Sequence, residues 1–135
     1  MGVFEWNEKY SVNIREIDEE HKKLIGLVGQ LNSAMRQGKG KDALGKVLYD
    51  LIQYTRTHFA DEERIMKSGG YPDYQDHKAK HDWMTNRVAA IYKDYQEGKT
   101  TITIEVMSFL EQWVEKHIMG TDKKYGPYLN AKGIS

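Results

Sequence analysis

Four stretches of the chain repeat their apolar residues at alternating steps of three and four, the period of a helix that buries one face. The first runs through Leu24, Val28, Leu31 and Met35, the second through Leu44, Leu48, Leu51, Thr55 and Ile65. The third carries Tyr74, Met84, Val88, Ile91 and Tyr95, the fourth Val106, Leu110 and Trp113. Glycine-bearing breaks separate them: RQGKGKD at 36–42, KSGGYPD at 67–73 and QEGKTT at 96–101. Asp18 is placed to cap the first helix, Pro72 to open the third, and Gly69 and Gly98 to stop the second and third. The segments between breaks are too long for strands, and short connections make successive long helices antiparallel. The expectation is an all-α, up-down-up-down antiparallel four-helix bundle over residues 18–121. An N-terminal arm, 1–17, carries Phe4, Trp6, Tyr10, Val12 and Ile14, and a short C-terminal helical turn lies within 122–135. Residues 1–135 are expected to form one domain.

The stripes are interrupted by residues that do not belong in an apolar core. His21 opens the first, His58 and Glu62 stand in the second, His77 and His81 in the third, and His117 closes the fourth. The start of one helix, the end of the next, the start of the third and the end of the fourth share one end of an antiparallel bundle. All five histidines of the chain therefore fall in one layer. Taken singly, a histidine on an apolar stripe reads as a hydrogen-bonded core residue, and a helical glutamate as solvated. Asp61 and Glu63, off the stripe, keep that solvated reading. Taken together, five imidazoles and an inward carboxylate are mutually destabilising unless a cation lies between them. The chain has no cysteine, so disulfides and thiolate ligands are excluded. Nitrogen and oxygen donors without sulfur suit iron, manganese or zinc. Five imidazoles plus carboxylates exceed what one ion can take, whereas two ions bridged by carboxylates use them all.

Twenty basic and twenty acidic residues cancel, so no net field attracts nucleic acid or an anionic membrane. The first twenty residues are charged throughout and lack the apolar run of a secretory signal, and no stretch is apolar enough to span a bilayer. A soluble, cytoplasmic protein without nucleic-acid or membrane partners is expected.

The set His21, HFADE at 58–62, HKAKH at 77–81 and HIMGTD at 117–122 resembles the single-domain bacterial hemerythrins. The likeness extends from the FEWNEKYSVNIREID arm to DKKYGPYL near the C-terminus. It implies a non-haem di-iron site, two iron ions (Fe2+/Fe3+) per chain with a bridging oxo or hydroxo group. By the resemblance, His77, His81 and His117 bind one iron, His21 and His58 the other, and Glu62 and Asp122 bridge them. One position on the second iron then stays open. The implied function is reversible dioxygen binding, for storage, delivery or sensing, with the ligand held as hydroperoxide. Nitric oxide and small anions such as azide are further candidate ligands, and a di-iron oxidase or peroxidase is the alternative. Ferritin-like oxidases carry mostly glutamates and paired Glu-x-x-His motifs, which are absent from this cluster. The resemblance, with helix geometry, puts Leu24, Phe59, Trp113 and Val114 in an apolar oxygen pocket.

Asp122 poses a geometric question. Five residues after His117, it would lie about 140° from the histidine's face on a regular α-helix. Either the backbone departs from α geometry, with Gly120 the expected accommodating residue, or Asp122 merely caps the turn that follows.

Overall fold

In a computed structural model of the protein, which describes residues 5–99, 101 and 103–135, helices supply all the regular structure of the described residues. Phe4 of the expected arm lies outside them. After a single 3-10 turn in the arm (Glu8–Tyr10), the α-helices are α1 (Arg15–Arg36), α2 (Lys41–Ser68), α3 (Tyr74–Gln96), α4 (Ile104–Lys116) and α5 (Lys123–Ala131). A six-residue π-helical segment, His117–Asp122, joins α4 to α5 without a break. Helices α1 to α4 form the antiparallel bundle. The C-terminal turn expected from sequence is a nine-residue helix, α5.

Local signals set most boundaries, with instructive exceptions. Helix α1 starts at Arg15, and Asp18 sits inside its first turn. Its carboxylate accepts hydrogen bonds from the Ser11 hydroxyl (2.6 Å) and the Val12 amide (2.8 Å), so it pins the arm instead of capping the helix. Thr103 does cap α4, accepting from the Val106 amide. At the end of α2 the left-handed residue is Gly70 (φ 67°), not Gly69, and the Tyr71 amide closes back on the Met66 carbonyl. Gly69 answers to packing, because a Cβ there would run into the Leu129 side chain. Gly98 (φ 75°) ends α3 as expected. Pro72 lies in the turn two residues ahead of α3 rather than within the helix.

The stripes of α1, α2 and α3 are buried apart from Met35 and Tyr74, which are half-buried. On α4 the buried line is Met107, Leu110, Val114, His117 and Ile118, rotated from the expected one, so that Val106 and Trp113 are half-buried. Two apolar clusters result. The larger fills the bundle through Leu24, Val28, Leu31, Leu48, Val88 and Leu110. The smaller joins Val12 and Ile14 of the arm to Ile17, Ile65, Met66, Tyr71, Tyr125 and Leu129. Each fully buried aliphatic side chain contributes about 1.5–3 kcal/mol. Arm and α5 are also tied directly: Lys123 Nζ donates to the Lys9 carbonyl, and Asn130 to that of Asn13. Gly126 leaves no room for a Cβ, which would lie 2.7 Å from the Val12 carbonyl oxygen.

Candidate metal centre

The histidine layer lies between these two clusters. His21, His58, His77, His81, His117, Glu62 and Asp122 are all buried, with Asp122 and His21 wholly out of reach of solvent. Each histidine aims its Nε2 inward. That of His21 is 3.0 Å from Asp122 Oδ2, that of His77 is 2.9 Å from Asp122 Oδ1, and that of His117 is 3.0 Å from the same oxygen. His58 and His81 approach Glu62 Oε1 at 3.4 and 3.1 Å. The donors separate into two overlapping groups, either of which could hold a metal ion: Glu62, His77, His81, His117 and Asp122, and His21, His58, Glu62 and Asp122. The two carboxylates belong to both.

The π-helical segment is what brings Asp122 in. Its wider turn rotates a residue five positions on back to the face of His117, and both side chains point into the layer. Gly120 is not the cause. It is exposed, its φ is negative, and a Cβ there would meet nothing.

Several buried polar atoms of this layer have no hydrogen-bond partner: both ring nitrogens of His21 and His77, Glu62 Oε1, and both Asp122 oxygens. Leaving such atoms unsatisfied is costly. The short distances between them lack hydrogen-bond alignment, as when donors converge on a point between them instead of on each other. All-nitrogen-and-oxygen donors in this number fit a pair of iron ions.

Electrostatics tells the same story for the metal-free site. Burial alone would lower His21, but the Asp122 and Glu62 carboxylates outweigh it and raise it to about 10. Burial would likewise lower His81, yet Glu62 and Glu63 raise it. Burial works to raise both buried carboxyls, and repulsion from Asp122 works to raise Glu62 further, but the surrounding imidazoles hold both below the usual carboxylate range. His117 is lowered by burial. Without metal, a proton on His21 offsets part of the buried negative charge.

Outer contacts fix the rings. His58 Nδ1 lies 2.7 Å from Glu20 Oε1, and His81 Nδ1 lies 2.9 Å from Glu63 Oε2. A carboxylate on the outer nitrogen selects the tautomer that leaves Nε2 free to coordinate. Glu63 is thus not simply solvated, as its place off the stripe suggested. Asp61, half-buried and 3.9 Å from Arg64, makes no such contact with a histidine. Phe59 stacks on His81 at 3.8 Å and Trp113 on His117 at 4.4 Å, each nearly parallel. Tyr125, buried, donates its hydroxyl to Glu62 Oε2. Burial and the two carboxylates raise this phenol well above 10, so it remains a donor. Sequence reasoning gave Glu20, Glu63 and Tyr125 no part in the metal layer. The i−1 and i+1 positions beside His21 and Glu62 were the only signal for the first two.

One helical turn beneath the layer is an enclosed apolar cavity of about 20 Å³. Its wall includes Leu24, Trp113 and Val114, with Thr55 and Met84, and it continues to Val28, Leu48 and Val88. Phe59 is outside the lining. The Thr55 hydroxyl is turned away onto the Leu51 carbonyl at 2.7 Å, which keeps the wall apolar.

An antiparallel four-helix bundle with a buried layer of imidazoles and two shared carboxylates defines a class of protein, the non-haem binuclear metal proteins of helical type. The Hemerythrin HHE cation binding domain matches residues 12–129. Over 97% of this chain and 100% of its own length, bacteriohemerythrin of Methylococcus capsulatus is 32% identical. Myohemerythrin of Theromyzon tessulatum is 30% identical over 90% of each chain. A crystal structure of wild-type hemerythrin superposes with a TM-score of 0.90 at 31% identity, covering 95% of this chain and 98% of that one. The chain belongs to the hemerythrin family, whose members are di-iron oxygen-binding proteins.

Proposed function

We propose that this protein binds dioxygen reversibly at a di-iron site formed by His21, His58, Glu62, His77, His81, His117 and Asp122. The observation that carries the reading is the pair of donor groups sharing Glu62 and Asp122, with buried atoms that have no other partner. A pair of iron ions held there supplies the two electrons and the open coordination position that dioxygen requires. The group with three imidazoles offers one more nitrogen than the group of His21 and His58, so an ion held by the latter would keep room for an external ligand.

The chain's own residues do the rest. Glu20 and Glu63 hold the His58 and His81 rings in the tautomer that presents Nε2. Tyr125 restrains Glu62 from the far side. Leu24, Trp113 and Val114 wall the cavity against water and external protons, and Phe59 backs the His81 ring. Binding rather than turnover is favoured by size: a cavity of about 20 Å³ accommodates a molecule no larger than water or a diatomic, and no organic substrate. Nitric oxide meets the same size limit, whereas azide, with three atoms, exceeds it and is the weaker candidate. Oxidase or peroxidase activity is secondary on this reading. A cytoplasmic location is part of this reading, and no helix among the described residues is long and apolar enough to cross a membrane.

Anaerobic titration of the reduced, iron-loaded protein with oxygen tests the reading. Reversible, stoichiometric change in the absorption spectrum is expected. Continuous oxygen consumption with an added reductant would identify an enzyme instead, and one metal per chain would remove the dinuclear site.

A further inference from the structure

Among the residues lining the cavity, Met84 is chemically distinct. The others present hydrocarbon, an indole, or a hydroxyl already turned onto a carbonyl. Met84 presents a thioether, a soft two-electron nucleophile. It lies on α3 three residues after His81, one turn beneath the metal layer, and is 2% exposed, so an oxidant reaches it from the cavity sooner than from solvent.

A protein that binds dioxygen through two ferrous ions has one characteristic failure. With two electrons from the irons and two protons from water that gains entry, the ligand would depart as hydrogen peroxide. In a closed apolar chamber that peroxide is released beside the walls, not into bulk water. We infer that Met84 is a built-in oxidation site for hydrogen peroxide released inside the protein. The inference rests on the dioxygen-binding reading above. The step is an oxygen transfer: a sulfur lone pair attacks one peroxide oxygen, the O–O bond breaks, and the departing hydroxide takes the remaining proton to leave as water. Sulfur is oxidised by two electrons to the sulfoxide and the peroxide is reduced by two. No metal takes part in that step, and no radical is needed. Trp113, on the same wall, reacts far more slowly with hydrogen peroxide than a thioether does and is bypassed.

The product has a consequence for the site. A sulfoxide places a polar, hydrogen-bond-accepting oxygen in a wall that is otherwise apolar. It draws water to the chamber, and a molecule that has failed once then fails faster. Oxidation of Met84 thereby marks and retires spent protein, reversibly wherever a sulfoxide reductase is at hand.

Three other methionines provide internal controls. Met119 is 38% exposed on the π-helical segment, while Met66 and Met107 are as buried as Met84 but lie outside the cavity wall. Oxygenated, iron-loaded protein is left to autoxidise in the presence of catalase, which destroys any peroxide that escapes, and peptides are mapped by mass spectrometry for added oxygen. A parallel sample of metal-free protein receives hydrogen peroxide from outside. Iron content and the spectrum of the oxygenated form are recorded on the same samples, so failure to bind oxygen is seen separately. The expected result is an inversion of order: Met84 leads Met119 during autoxidation, and Met119 leads Met84 under external peroxide, with Met66 and Met107 spared in both. Met84→Leu, of similar volume, should lose the slow acceleration of autoxidation seen in wild type, whatever its initial oxygen affinity. Autoxidation that leaves Met84 unmodified, oxidation on Trp113 in its place, or Met119 leading in both samples overturns the inference.

Discussion

Glu20 and Glu63 stand behind different members of the metal layer, and removing them one at a time should loosen different ions. Glu20 contacts His58, which belongs with His21, while Glu63 contacts His81, which belongs with His77 and His117. Loss of a carboxylate behind a ligating histidine typically lowers metal affinity by about 10–100-fold, or roughly 1.4–2.7 kcal/mol. The geometry orders the two. The Glu20 contact is shorter, at 2.7 Å against 2.9 Å, and its side chain is 16% exposed against 20%, so water replaces it less well. Glu20→Ala belongs near the upper end of the range and Glu63→Ala near the lower. The group of His21 and His58 also starts with fewer nitrogens, so Glu20→Ala should yield protein with one readily removed iron and one retained. Glu20→Gln keeps an acceptor but loses the charge and should fall between Ala and wild type. Equilibrium competition with a graded series of chelators, followed by iron per chain, measures all three. Two-step release in Glu20→Ala is the expected signature. If Glu20→Ala and Glu63→Ala release both irons together at the chelator strength that strips wild type, the contacts do not support the ligands and the argument fails.

Tyr125→Phe removes a hydrogen bond to a buried charge and should destabilise the metal-free protein by about 1.5–3 kcal/mol in urea unfolding; a change indistinguishable from zero would show that Glu62 does not depend on it. Gly120→Ala should keep both irons and gain about 0.4–1 kcal/mol, whereas loss of iron would mean that the π-helical segment does need glycine. Ferrous iron added to metal-free protein should release protons, because His21, raised to about 10, is protonated at neutral pH and must lose its proton to coordinate. Affinity should accordingly fall as pH is lowered, and binding without proton release in unbuffered titration would contradict this. Val114→Ser should retain two irons yet lose the oxygenated state faster than wild type; equal decay rates would place the dry wall elsewhere.

Much of this arrangement is legible in the sequence because helix period and short loops carry it. The spacing Leu51, Thr55, His58, Glu62, Ile65 places a carboxylate inward, and the structure buries every member of that run. What periodicity could not supply are contacts made across helices or through irregular backbone. Glu63 lies off its own helix's stripe, and only the position of α3 beside α2 turns it toward His81. The rotation of α4 that half-exposes Trp113 follows from packing, and the steps of three and four fit either line of residues. Asp122 is the sharpest case. Its spacing from His117 contradicts a regular helix, and the resolution lies in a backbone form with no residue signature, the glycine nearby being incidental.

The arm and α5 matter for a reason that no single motif in them states. The histidine layer sits toward one end of the bundle, where a bare four-helix arrangement would let water reach it. Val12, Ile14, Tyr125 and Leu129 close that end with an apolar cluster of their own. The close pass of Gly126 against Val12, and the bonds from Asp18 to the arm, hold the closure in register. The polar layer is thus dry on both sides, with the larger core and its cavity beneath and this smaller cluster above. Dryness strengthens the attraction between the buried carboxylates and whatever cation they enclose, and it also makes an empty site expensive. Metal retention and docking of the arm are therefore one coupled equilibrium. Because Asp122 and Tyr125 lie on one continuous helical run, α5 cannot leave without removing a carboxylate from the layer and the hydroxyl that steadies the other. Loosening the closure by Gly126→Val should then appear first as iron loss, before the bundle itself unfolds.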